Sequence, residues 1–200
     1  MRLLKVFIKN MPRFKENIDI DFITKQRVAE NDKEKLFNVF SNNYTEIYTN
    51  QAISFIGLNA SGKTTILKAI SFVINLLNNE ALNNIKSKEI LNDLSVSEKV
   101  TITSFFYNDN SVYKLETVIA KKINPVDNEE KLIITEERLW EKDANKVKTK
   151  KSLFDFKDSD MRIERNEKEQ FLLNDVSVMI AINKEKQSNF PLRDMLMWTN

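Results

Sequence analysis

Residues 57–64 read Gly-Leu-Asn-Ala-Ser-Gly-Lys-Thr, which matches G-x-x-x-x-G-K-[ST], the spacing of a phosphate-binding loop. The residue types dictate the chemistry. Glycines let the backbone curl until successive N–H groups converge on anionic oxygens. A helix that starts at the loop aims its positive end at the same point. In such a loop Gly57 and Gly62 shape the turn. The backbone amides of Asn59, Ala60, Ser61, Gly62, Lys63 and Thr64 hold phosphate. Lys63, the candidate catalytic residue, neutralises β/γ charge, Thr64 ligates Mg2+, and Thr65 bonds the α-phosphate. The expected ligand is therefore a nucleotide with Mg2+. The chain has only 2 glycines, and both lie in this loop.

Other chemistry is narrowed by what is missing. The chain contains no cysteine and no histidine. Disulfides and thiolate nucleophiles are excluded, and a zinc site of the usual kind is not expected. Catalysis would run on carboxylates, Lys, Arg, Ser/Thr or an oxygen-ligated metal. Glu136 and Glu137 would face such a metal if their strand ended near the loop; the simpler expectation is a surface carboxylate pair. Lys146, Lys148, Lys150 and Lys151 form a basic run that could touch a phosphate backbone. With no aromatic residue interleaved, a solvated loop is the simpler expectation.

The elements that must position the loop follow from periodicity. Residues 3–8 and 17–23 read as strands, the second alternating Ile18, Ile20, Phe22 against Asp19, Asp21. Pro12 lies in the turn between them. Residues 24–50 are polar and read as an insertion, loop or short helix. Residues 51–57, QAISFIG, read as a short strand buried on both faces. From Gly62 to Asn79 the period changes: Ile66, Ile70, Val73, Ile74 and Leu77 share one helix face. A polar stretch, 80–98, follows. Residues 99–122 read as a β-hairpin turning at Asn108-Asp109-Asn110, with Phe105, Phe106, Tyr107 and Tyr113 on its faces. Residues 131–140 read as a further strand, and 141–200 as mostly helical. At 200 residues with no Pro/Gly linker the chain reads as a single domain.

LLKVFIKNMPRF, ENIDIDF and ISFIGLNASGKTTILKAISFVINLL together resemble the opening of an ABC-type ATPase head. The likeness is to the SMC/RecF/OLD branch and to AAA family ATPases encoded with anti-phage or toxin–antitoxin partners. ITEERLW resembles a strand motif that follows the first hairpins of these heads. The resemblance covers about residues 1–140. It implies an α/β fold of the P-loop NTPase kind, an ABC-ATPase-like N-terminal lobe with a mixed sheet and an antiparallel β-layer. It implies ATP and Mg2+ as cofactors, and a homodimer or an ATPase partner chain that dimerises head to tail around nucleotide. An effector nuclease or toxin is a further implied partner, and DNA a further one that net charge does not indicate. Arg13 sits where related heads bring an N-terminal loop near the nucleotide.

The family's remaining parts are not in this sequence. A glycine-containing signature cannot follow Gly62, because no later glycine exists. No apolar run leads into Asp-Glu; FLLNDV (171–176) is interrupted by Asn174 and reads as a helical segment. The chain therefore resembles the N-terminal half of such an ATPase, and hydrolysis by it alone is expected to be very slow or nil. Two other readings stay open: a small P-loop kinase, and a non-hydrolysing module that uses ATP as a regulatory or dimerisation signal. A GTPase fits poorly, since VMIAINKEK (178–186) places Lys186 where N-K-x-D needs aspartate.

Composition sets the frame. Thirty-one basic against 29 acidic residues give a net charge of +2, which demands no polyanion. The N-terminus lacks the apolar core of a signal peptide, and no apolar run is long enough to span a bilayer. A cytoplasmic protein with no membrane partner is expected.

Overall fold

The computed structural model describes residues 1–58, 62–123, 128–165, 173–180 and 183. It is a mixed α/β structure built on one antiparallel sheet. The first strand, β1 (Arg2–Lys9), pairs with β2 (Ile18–Asp21). Alternation explains β2: Ile18 and Ile20 are buried, while Asp19 and Asp21 flank the Lys5 ammonium at 2.7 and 3.2 Å. A hairpin, β3 (Leu36–Ser41) and β4 (Glu46–Asn50), follows, and then helix α1 (Lys63–Leu77). The remaining strands are β5 (Lys99–Asn108), β6 (Ser111–Ile123), β7 (Glu130–Asp143) and β8 (Asp160–Arg165). The sheet order is β2-β1-β5-β6-β7-β8, every neighbouring pair antiparallel.

The β5–β6 turn forms as its residues dictate. Asn108 pairs with Ser111, leaving Asp109 and Asn110 as the two turn residues, with φ of 45° and 61°. Two successive positive φ angles match the right-handed twist of the strands, and Asn and Asp tolerate them. The aromatic residues pack as expected of hairpin faces. Phe106 stacks on Tyr113 at 5.2 Å, Phe105 meets Phe154 edge-on, and Tyr107 stacks on Phe40.

The two faces of the sheet carry different layers. On one, Leu3, Val6, Ile102, Phe106, Leu115 and Leu139 pack with the α1 residues Ala69, Phe72, Val73, Leu76 and Leu77. On the other, Leu4, Phe105 and Val112 pack under Phe40 and Ile47 of the β3–β4 hairpin and under Ala144, Val147 and Leu153. Removing this apolar surface from water, about 1.5–3 kcal/mol per large side chain, holds both layers on. Lysines staple the second layer. Lys142 donates to the carbonyls of Ser152, Leu153 and Asp155 at 2.5, 3.2 and 2.6 Å, and burial lowers its pKa.

Three expectations need correction. Residues 52–58 form no strand: Ile56 is 96% and Leu58 86% exposed. β1 already has β2 and β5 on its two sides, and each interior strand is likewise filled, so the sheet has no interior slot for this segment. The mixed sheet is accordingly an antiparallel one. Residues 24–50 are more than a loop or short helix, since a 3-10 turn (Glu30–Lys35) leads into the β3–β4 hairpin. Of the stretch 141–200, read as mostly helical, residues 141–165 form the end of β7, two 3-10 turns (Ala144–Lys146, Ser152–Phe154) and β8. Ion pairing across strands explains β8: Glu164 binds Arg138 of β7, and Arg162 binds Glu141. Most of 166–200 lies outside the described residues. No helix among the described residues is long and apolar enough to cross a membrane.

Candidate functional site

Gly62 is the N-cap of α1, with φ of 84° and ψ of 7°. This left-handed conformation disfavours any residue with a Cβ. Space is tight as well, since a Cβ here would sit 3.0 Å from Cζ and 3.3 Å from Cε1 of Phe14, whose ring would have to give. The turn after β1 makes this contact possible. Asn10 and Arg13 take φ of 57° and 69°, and the Phe14 N–H donates to the Met11 carbonyl at 3.1 Å. Sequence reasoning missed Phe14; its only signal is a lone aromatic after the Met-Pro turn.

The first turn of α1 leaves backbone N–H groups without helical acceptors. Gly62 is already engaged through its carbonyl, which accepts from the Ile66 N–H at 2.9 Å. No side chain caps the helix, and its first turn holds no acidic residue. Lys63 opens it instead. Its ammonium folds back and donates to the carbonyls of Gly57 at 2.7 Å and Leu58 at 2.5 Å. The loop thus closes on its own lysine, which places a cation at the N-terminus of α1. Thr64 is exposed and Thr65 half-buried beside it. Asn59, Ala60 and Ser61 lie outside the described residues.

The other candidates fall elsewhere. Arg13 lies in the turn that packs on Gly62, but its side chain is 78% exposed and ion-paired with Asp93. Glu136 and Glu137 are not a surface pair. Glu136 is half-buried and faces Arg138 at 3.3 Å, whereas Glu137 is fully buried. A bulge causes this. Val118 pairs with Glu136 and Ile119 with Ile134, so Thr135 is the extra residue. The bulge reverses the alternation, and Glu137 turns in with Leu139.

Glu137 binds structure, not metal. Its Oε1 accepts from Thr117 Oγ1 and Ser177 Oγ at 2.8 Å each, and its Oε2 from the Val178 N–H at 2.7 Å. Burial pushes its carboxyl above the usual carboxylate range, opposed by these three hydrogen bonds and by the charge of Arg165. The carboxylate thereby holds residues 177–178 on the sheet. Nearby, the Ile134 N–H donates to Asn174 O and the Leu82 N–H to Asp175 O, each at 2.7 Å. Residues 173–176 of FLLNDV are thus a hydrogen-bonded turn, not helix.

Of the basic run, Lys150 is engaged. It donates to Thr24 O at 2.7 Å, Gln26 O at 2.5 Å and Thr24 Oγ1 at 3.2 Å. Lys146, Lys148 and Lys151 are exposed. Among known proteins the chain matches no family model, no curated protein and no solved structure.

Proposed function

We propose that the chain binds Mg·ATP at residues 57–65 as part of an ABC-type ATPase that powers or gates a DNA-related or defence effector. The observation that carries this reading is the Lys63 ammonium, held over the Gly57 and Leu58 carbonyls at an α1 N-terminus free of acidic side chains. Gly62 fits the role too, since its left-handed conformation and the close Phe14 ring disfavour a side chain. In the bound state Lys63 would exchange carbonyl partners for β/γ-phosphate oxygens. The N–H groups of the loop and first helical turn would take the remaining phosphate oxygens, and Thr65 the α-phosphate. Thr64 would hold Mg2+, and the ion would neutralise phosphate charge. Among the described residues no group of three or more carboxylates could hold a metal, so the phosphates themselves would supply ligands.

The apolar segment before the loop favours a partner. Ile53, Ile56 and Leu58 are exposed, and none of residues 52–58 joins a ladder. Such a segment gains by covering from an ATPase partner chain or a second copy. The sequence lacks the signature and the acidic strand of this class, so the proposal is binding, with hydrolysis dependent on complementation. The antiparallel run β5–β8 favours this over a kinase, whose elements alternate β and α. A non-hydrolysing regulatory role fits the same site.

Thermal melting tests the proposal. Mg·ATP at about 100 times Kd adds about 2.7 kcal/mol, or roughly 5–11 °C for a chain of this size. That shift is expected for the wild type and should fall to half or less in Lys63→Ala. Equal shifts in both proteins would contradict the assignment.

A further inference from the structure

The basic run and the 24–50 insertion meet at a place neither suggests alone. A cavity of about 600 Å³ lies between the loop after β2, the β3–β4 turn and the turn at 148–153. It belongs to the layer on the sheet face opposite α1, away from the phosphate loop.

Its frame is built from satisfied polar groups. Asn42 Nδ2 donates to the carbonyls of Ala144 at 2.8 Å and Val147 at 2.9 Å. Its Oδ1 accepts from the N–H groups of Tyr44 and Thr45 at 2.8 and 2.9 Å. This one side chain fixes the β3–β4 turn on the segment after β7. Lys150, bonded to Thr24 and Gln26, fixes the opposite wall. The cavity's two carboxylates, Glu30 and Glu46, are taken by Lys33 at 3.0 Å each.

What remains is cationic and aromatic. Lys25 and Arg27 line the cavity, are exposed, and have no ion-pair partner among the described residues. Four cations against two carboxylates leave the lining at +2. Tyr44 is 64% exposed in the same lining, and Lys148 and Lys151 extend the positive surface beyond Lys150. The fold therefore supplies, from the β3–β4 hairpin far earlier in the chain, the aromatic group that the basic run lacks in sequence.

We propose that this cavity binds single-stranded nucleic acid, one unstacked base lying on Tyr44 and the flanking phosphates on Lys25 and Arg27. The volume suits a base and its sugar. A stacking face beside exposed cations is the pattern of single-strand sites, whereas a duplex hides its base faces. The site is independent of Mg·ATP binding, and its failure would leave that proposal standing.

The test is fluorescence anisotropy with labelled dT20 and rU20, against a 20-base-pair duplex, at 50 and 200 mM NaCl. Wild type should bind the single strands more tightly than the duplex and weaken with salt. Tyr44→Ala should weaken binding about tenfold. Lys25→Ala/Arg27→Ala should lower the logarithmic salt slope by about 1.4, two phosphate contacts' worth. Lys63→Ala should bind like wild type. All substituted positions but Lys63 are exposed, and an Arg27→Glu variant gives a second charge readout. No binding of dT20 or rU20 at 50 mM, unchanged binding in the Tyr44 and Lys25/Arg27 variants, or tighter binding of the duplex would overturn the proposal.

Discussion

Replacing Glu137 by alanine removes one buried carboxylate and strands everything it satisfies. The Thr117 and Ser177 hydroxyls and the Val178 N–H lose their acceptor. Arg165, itself only 5% exposed, loses the charge it faces. Each orphaned donor costs about 1–3 kcal/mol. The costs overlap, because hydroxyls can rotate and water can enter the space left behind. With three donors orphaned and that overlap, the expected loss is about 3–5 kcal/mol. For a chain of this size it lowers Tm by roughly 6–20 °C. Glu137→Gln keeps the shape and one acceptor oxygen and should cost about 1–2 kcal/mol. The pH dependence separates charge from shape. Burial raises the folded-state pKa of Glu137 above 4.5, so the folded protein holds the proton more tightly than the unfolded chain. The corresponding stability is fully present below pH 4.5 and is lost as pH rises through the raised value. Urea unfolding of wild type and Glu137→Gln across pH 4–8 reads this directly. The wild-type stability relative to Gln should fall with rising pH and then level off. An alanine variant within 1 kcal/mol of wild type, or a wild-type advantage that grows with pH, would refute the account of Glu137.

Two further outcomes follow from the loop and its approach. Gly62→Ala must hold a Cβ at φ of 84° against Phe14; it should destabilise by about 1–2 kcal/mol and abolish the Mg·ATP melting shift, with Gly62→Ala/Phe14→Ala recovering stability if the ring is the obstacle. Ile56→Lys changes a side chain that is 96% exposed; Tm should stay within about 1 °C, while light scattering should show less self-association.

The antiparallel layer was legible because its strands are half-buried and alternate. Ile18/Ile20 in β2 and the Asp109-Asn110 turn each carry their own local signal. Where a bulge breaks the period, the signal failed. β3 shifts register between Asn38 and Phe40, so its burial follows no alternation and the hairpin looked like a polar loop. Glu137 was misplaced for the same reason, although the odd spacing of Ile134 and Leu139, both buried, encodes the bulge at Thr135. The apolar segment before the phosphate loop reads as a strand, but no described strand pairs with it. Hydrophobicity shows that a segment wants covering; it does not name what covers it. The loop's residue types were plain in sequence. The Phe14 contact with Gly62, and the placing of Tyr44 and Lys150 in one cavity lining, depend on tertiary packing and have no local signature.

The central claim is that residues 57–65 hold the phosphates of Mg·ATP through Lys63. Isothermal titration calorimetry of Mg·ATP into wild type and Lys63→Ala tests it most directly. The account predicts saturable binding by the wild type and at least tenfold weaker binding by the variant, which loses a charge-assisted contact of about 1.5–3 kcal/mol. Identical heats for the two proteins, or no binding by the wild type, would contradict it.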